Sequence, residues 1–407
     1  MSDNGVNTEQ AFDAETHSAK TDADVLIVGG SLANCLSALW MAQANPNLLI
    51  GLLDFGSSLL ENQDWLLLDD CISARQLRRL QPYISKNWHS VATASSSGKT
   101  VHSLACSLVS GEKIRSYLEA SPRIEVLPKA KVTAVAPTAV EISSDDLVTA
   151  PLVLDGRPVR NHRSMSHAHT HHFEFQLTLA RPHGLQQPIL MDTSQGQLKG
   201  FNYMQTVPLS IHNVFVAHVL TDENPGGDVE LAKAAVLRHA VSSGWAVADA
   251  KLHHQSSEPF LTDLNRDVFT TFARRKAVPM GQAALMSHPT TLDPLVAACR
   301  MAEVMLSLEN IDTENAMAEV VALMKQTHAN HQFHWELNQQ IADPSQPEFG
   351  SELFNYLSTL PDSLLTRFYS ADCRSRDRLR ISMVRTGTSL VKAGKAISQL
   401  GGAKRAP

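Results

Sequence analysis

The stretch "VLIVGGSLANCLSALW", residues 25–40, decides the fold. Four apolar strand formers run into a glycine pair, and an apolar helical pattern starts directly after it. A second buried strand, "LLIGLLDF" (48–55), carries Asp54 near its end. A strand, turn, helix and strand within about thirty residues open a doubly wound α/β domain. Gly29 and Gly30 supply the tight turn of a dinucleotide fingerprint, and Ala33 or Asn34 the close helix packing. Asp54 is the acid that would hold ribose hydroxyls. Ser31 stands where the second fingerprint glycine belongs, and its Cβ crowds an approaching pyrophosphate.

Working outward, 407 residues are too many for one simple core, and two intertwined domains are expected. A hydrophobic content of 43% with 19% charged residues describes an ordinary globular chain. The net charge of −6 leaves no excess of basic residues for phosphate contacts, so no nucleic-acid partner is expected. Five scattered cysteines lack metal-like spacing and read as buried thiols of a reducing cytosol. The apolar runs are half the length of a membrane span. Residues 1–23 are polar and acidic and read as a disordered tail.

Strand-and-loop patterns occupy the chain from about Val101 to Phe269, and helical periodicity takes over between Pro294 and Leu400. From Arg374 to Arg405 there are nine Lys or Arg and one acid, Asp377. Apolar residues interleave with them, so this segment is expected either to lie on an anionic membrane surface or to pack on the body with a solvated basic face.

Four further motifs bear on function. "LVTAPLVLDGRP" (147–158) ends a strand in Asp155-Gly156, either the return to a dinucleotide domain or a plain strand-turn. "HAHTHH" (167–172) puts His167, His169 and His171 on one face if it is a strand. No acid or cysteine cluster accompanies them, and no metal is expected. "SHPTTLDP" (287–294) leads into a helix, which Thr290, Thr291 or Asp293 would cap, or whose amides would approach a cofactor ring. "NVFVAHVLTDENP" (213–225) is a strand with His218 at its centre beside the small Ala217.

Together these pieces resemble the bacterial lycopene β-cyclases, from about Asp24 to Ile397. "LIVGGSLANCLSALW" is similar to the family's Gly-Ala-Gly-Leu-Ala-Asn opening. "ENQDW" (61–65) sits where the family has Gly-Asn-His-Thr-Trp, with Asn62 and Trp65 kept and Gln63 replacing the histidine. "VLDGRP" resembles Asp-Gly-Arg-Gly, with Pro158 in the last place. "RPHGLQQPILMD" (181–192), "VPLS" (207–210), "SHPTT" and "LPDSLLTRFYSADCRSRDRLRI" (360–381) match further family segments in order. Leu292-Asp293 replaces the family's Gly-Tyr-Ser.

The resemblance implies an α/β fold: a discontinuous Rossmann-like FAD-binding domain, an inserted β-rich substrate domain and a helical C-terminal part. The expected divisions are an FAD-binding first part over 24–100, its return strands over 101–160 and a substrate domain over 161–270. A closing FAD-binding segment over 271–310 and helices over 311–400 follow. The implied cofactor is FAD in reduced form, bound around Gly29, Gly30, Ser31, Ala33, Asn34, Asp54, Asp155 and Gly156. Lycopene or a related carotenoid is the implied substrate, near Trp65, His288 and Pro289. The implied reaction is an isomerisation without net redox change, and the implied place is peripheral, at the inner face of the cytoplasmic membrane. Other enzymes of carotenoid synthesis are further implied partners.

Cyclisation begins when an acid protonates a terminal alkene; the carbocation closes a six-membered ring and a ring proton is lost. The family carries its acidic pair, a catalytic glutamate followed by aspartate, where this chain has Ala217 and His218. His218 and Glu223 are therefore the expected replacements, although an imidazolium would repel a carbocation. Asp222, Glu258, Asp263 and Asp293 are further candidates, and each of them, like Glu223, reads first as an exposed loop carboxylate. The alternative function is a non-catalytic carotenoid- or partner-binding relative. A flavin hydroxylase would need a returning Gly-Asp motif, which is not evident around "VPMGQAALM" (278–286).

Overall fold

The computed structural model describes residues 20–21, 23–143, 146–157, 168–195, 200–222, 226–264 and 277–386. The polar N-terminal segment, Pro158, His167, Glu223 and the basic stretch beyond residue 386 lie outside the described residues. No described helix is long and apolar enough to cross a membrane. All five cysteines are buried and unpaired.

The opening motif builds a five-stranded parallel sheet in the order Val278–Pro279, Leu152–Asp155, Val25–Val28, Ile50–Leu53, Ile124–Leu127. Every residue of its three central strands is buried, as a sheet covered on both faces requires. Gly29 takes φ +94° at the turn, which a side chain would resist. The helix Leu32–Ala44 follows and is buried from Leu32 to Met41. It is apolar all round because the sheet and the helix Leu295–Leu306 both cover it.

The second layer is a seven-stranded sheet in the order Val247–Pro259, His169–Leu179, Asn213–Asp222, Phe201–Pro208, Ile189–Asp192, Val91–Ser95, Gly98–His102. Its pairings are antiparallel except for Ile189–Asp192 with Val91–Ser95. The sheet thus draws strands from both sides of residue 100. Alternation gives it two distinct faces. Phe173, Phe175, Met204, Val214 and Val216 pack with the helix Val229–Ser242. The other face carries Glu174, Tyr203 and Val219 toward the parallel-sheet domain.

The C-terminal part is helical. Asp312 caps the helix Thr313–Ile341 by accepting from Asn315 N at 2.8 Å. Asn338 on this helix donates to Leu261 O and Pro289 O, both at 2.8 Å, and so ties three segments together. The Arg367 guanidinium grips Asp377 at 2.7 and 2.8 Å, joining the helices Asp362–Tyr369 and Ser375–Ser382.

Candidate active site

A cavity of about 300 Å³ lies between the seven-stranded sheet, the start of the Leu32–Ala44 helix and the loop 287–294. Ser31 and Ala33 form its edge on the parallel-sheet side, and Asp64 and Trp65 its roof. Leu190, Val219, Val296 and Met301 give it apolar walls. Into this surround point four carboxyls: Asp64, Glu174, Glu258 and Asp293.

Glu174 is the most perturbed of them. It is buried in the His169–Leu179 strand and stands in register with Ala217 of the neighbouring strand. Burial, reinforced by the nearby Asp64 carboxyl, pushes Glu174 up to about 8, so it carries its proton at neutral pH. Its carboxyl has no hydrogen-bond partner among the described residues; His253 Nε2 lies 3.8 Å from Oε1. The pairing register shifts between Glu174 and Phe175, opposite His254 and Leu252, which leaves His253 as the extra residue of a bulge. The bulge brings His253 to Glu174 and against the Phe215 ring at 4.4 Å. Burial lowers His253, so it remains neutral beside the acid.

The other carboxyls are graded. Burial lifts Glu258 to about 7, against the bond that Gln282 Nε2 donates at 3.0 Å. Asp293 rises to about 6 by burial, opposed by the Leu295 amide that it caps at 2.7 Å. Asp64 is raised by burial and accepts from Gly111 N at 3.2 Å. Acids of different strength in one cavity can divide the roles of proton donor and acceptor.

The expected catalytic histidine does not reach this cavity. His218 pairs with Phe173 and Met204, on the face turned to the Val229–Ser242 helix. Both its ring nitrogens are buried without a hydrogen-bond partner among the described residues. Burial, with the Arg238 charge adding, lowers it to about 4. Strand alternation is the reason: with Ala217 toward the cavity, its neighbour must point away. Asp222 holds His171 at 3.2 Å and Asp263 caps Leu264 N at 2.7 Å; neither borders the cavity. Glu258 and Asp293 do.

Of the expected substrate contacts, Trp65 lines the cavity, whereas His288 and Pro289 build the loop beneath it. His288 Nδ1 accepts from Thr290 N and Thr291 N at 3.2 and 3.1 Å, so its Nε2 is the donor to Phe368 O at 2.8 Å. His169 and His171 are strand residues, as one reading of "HAHTHH" expected, while His167 lies outside the described residues. No metal-holding group of His, Cys, Asp or Glu occurs among the described residues.

The expected cofactor positions form a tight strand-turn-helix junction. Asn34 Nδ2 donates to Val28 O and Gly29 O at 3.1 and 2.7 Å, and Gly156 N to Val28 O at 2.8 Å. A Cβ on Gly156 would strike the Asn34 amide. Asp155 is held by its own neighbour, Arg157, at 2.9 Å through both carboxylate oxygens. Only Ser31 and Ala33 of these positions border the cavity. The nucleotide end beyond them is filled. Asp54 Oδ1 accepts from Gly30 N at 3.1 Å, Oδ2 faces Gly56, and Leu59 Cδ2 lies against the Cα of Gly30. As arranged, these residues do not fit the adenosine half of a dinucleotide.

Glu174 escaped the reading of the sequence. A signal was present, since it is the only acid in "HTHHFEFQL" (169–177). Its meaning depends on a partner strand about forty residues away in the chain, at Ala217.

Residues 24–395 match the family described as lycopene cyclase protein. A lycopene beta-cyclase of Pantoea ananas is 23% identical over 374 residues, covering 92% of this chain and 97% of that protein. One from Pseudescherichia vulneris is 25% identical over 381 residues, covering 92% and 96%. Among solved structures, a flavin-dependent halogenase from Xanthomonas campestris is similar with TM-score 0.56 at 12% identity, covering 91% of this chain and 95% of that one. A geranylgeranyl bacteriochlorophyll reductase-like protein from Thermoplasma acidophilum has TM-score 0.56 at 11% identity, covering 88% and 95%. At these identities the structural likenesses establish the α/β flavoprotein fold.

Proposed function

The chain belongs to the lycopene cyclase family, and on that premise we propose that it cyclises the linear ends of lycopene or a closely related carotenoid, with Glu174 as the acid. One observation carries this reading: a buried carboxyl, pushed up to about 8, lines a cavity of mixed polar and apolar walls directly across the strand pair from Ala217, the position at which the family resemblance expects the acid. The loss at 217, which by itself would favour a non-catalytic relative, is thereby matched by an acid one strand away.

Glu174 gives its proton to the terminal alkene, leaving a tertiary carbocation. A neighbouring double bond attacks that carbon and closes the six-membered ring. Asp293, ionised at neutral pH, then removes a ring proton. One proton enters and one leaves, so the product is an isomer and no oxidant or reductant is consumed. The faces of Trp65 and Tyr203, both on the cavity, attract the passing positive charge. The lipid solubility of the substrate supports work at a membrane surface.

The test is pigment analysis of lycopene-accumulating cells expressing the chain. Appearance of γ- or β-carotene is expected, with none from Glu174→Gln. Unchanged lycopene alongside soluble wild-type protein would sink the proposal.

A further inference from the structure

The family and the fold both lead one to expect FAD, yet the nucleotide end of its cleft is occupied by the chain itself. Leu59 and Leu60 are each 4% exposed and belong to the main core. Asn62 takes φ +53°, a left-handed conformation that Asn tolerates, but Leu60 also holds φ +50°, where a bulky side chain is strained. The loop is pinned on three sides. Arg115 Nη1 donates to Ser58 Oγ at 2.7 Å, and Gly111 N to Gln63 O at 2.8 Å. Gly111 also sits so close to Leu60 O that a Cβ there would collide with it. Lys129 N holds Gly56 O at 2.9 Å.

The acid is covered too. Asp54 is 9% exposed and bonded to Gly30 N, under Gly56 and Leu59. At the pyrophosphate position Ser31 Oγ accepts from Asn34 N at 3.4 Å, and Gly281 stands against that hydroxyl with φ +56°. The first-turn amides of a helix would ordinarily receive a phosphate. Here one of them is answered from within.

We infer that this chain does not hold FAD: Leu59 against Gly30, carried on the pinned loop that includes Leu60, and the enclosed Asp54 close the dinucleotide cleft. Flavin-dependent steps are then absent, and charge in the cavity comes from side chains alone. This closure stands independently of the cyclase reading.

Equilibrium dialysis of the purified full chain against FAD, oxidised and then dithionite-reduced, tests it. No retained flavin is expected in either state with protein in the ~10–100 μM range. The triple substitution Ser31→Gly, Leu59→Ala, Leu60→Gly is expected to tighten FAD binding at least about tenfold. Stoichiometric FAD on the wild-type chain overturns the inference, whether or not the variant folds. A variant that melts cooperatively but binds FAD no better also overturns it. Pigment analysis is read separately, so a failed cyclase assay and a failed closure are distinguishable.

Discussion

Glu174 and Ala217 stand directly opposite each other on adjacent antiparallel strands; Glu174 lines the cavity, and Ala217 shares its face of the seven-stranded sheet with the cavity-lining Val219. Directly paired residues of an antiparallel sheet have Cβ atoms about 5 Å apart. A carboxyl moved from one to the other therefore serves nearly the same volume. An acid lost by one strand can be supplied by its neighbour without rebuilding the pocket.

Replacing Glu174 by Gln removes the proton while keeping the shape of the neutral acid. Cyclisation is expected to fall by about 10²–10⁴-fold, with the thermal midpoint at pH 7 nearly unchanged. Pigment yield and a melting curve on the same variant check both parts; full activity in Glu174→Gln would remove the assigned acid.

A second carboxyl at the family position should compensate. The double variant Glu174→Gln, Ala217→Glu is expected to recover at least about tenfold of the lost activity. Ala217→Glu alone puts two carboxyls face to face and should raise the pKa of the pair. A double variant as inactive as the single one would show that the two positions are not interchangeable.

The pH dependence follows from Glu174. Its folded pKa, about 8, lies above the ordinary 4.5. The acid form is thus present at neutral pH, and activity should decline as pH rises through about 8. The group's contribution to stability is complete below 4.5 and is likewise lost as pH rises through about 8. A cell-free assay on lycopene in vesicles would trace the alkaline limb, and a rate unchanged well above pH 8 would contradict it.

His218 should be dispensable. His218→Leu replaces a buried imidazole lacking partners among the described residues with an apolar side chain, and a gain of about 1 kcal/mol is expected. Activity should stay within about twofold, because the side chain faces away from the cavity. Loss of cyclisation in a stable His218→Leu variant would return the histidine to the site.

Acid sensitivity has a related origin. His172, His218 and His288 are lowered to about 4 by burial from an ordinary 6.5. Below 6.5 the unfolded chain binds more protons, so these groups withdraw stability as pH falls from 6.5 towards 4. Denaturant titrations across that range should show a falling midpoint, less steep in His218→Leu.

Much of the fold is legible in local chemistry. Continuous apolar runs such as Val25–Val28 can be satisfied only inside a sheet covered on both faces, and Gly29 announces the turn. The long apolar periodicity from Pro294 onward specifies helices without reference to anything distant. The parallel domain, the strand through Ala217 and the helical C-terminal part are therefore readable in order along the chain. Trp65, Glu258 and Asp293, singled out from the sequence, all border the cavity.

What the sequence could not decide was which side chains share a space. Strand alternation is visible in one dimension, but which alternate faces the cavity depends on the sheet's partner layers. That choice sends Ala217 inward and His218 against the Val229–Ser242 helix. Pairing register sets Glu174 opposite Ala217, and packing closes Leu59 over Gly30. Local propensity and hydrophobic pattern act over a few residues, so they determined the elements. Proton affinity and cleft access depend on burial by segments remote in the chain, and only the tertiary structure decided those.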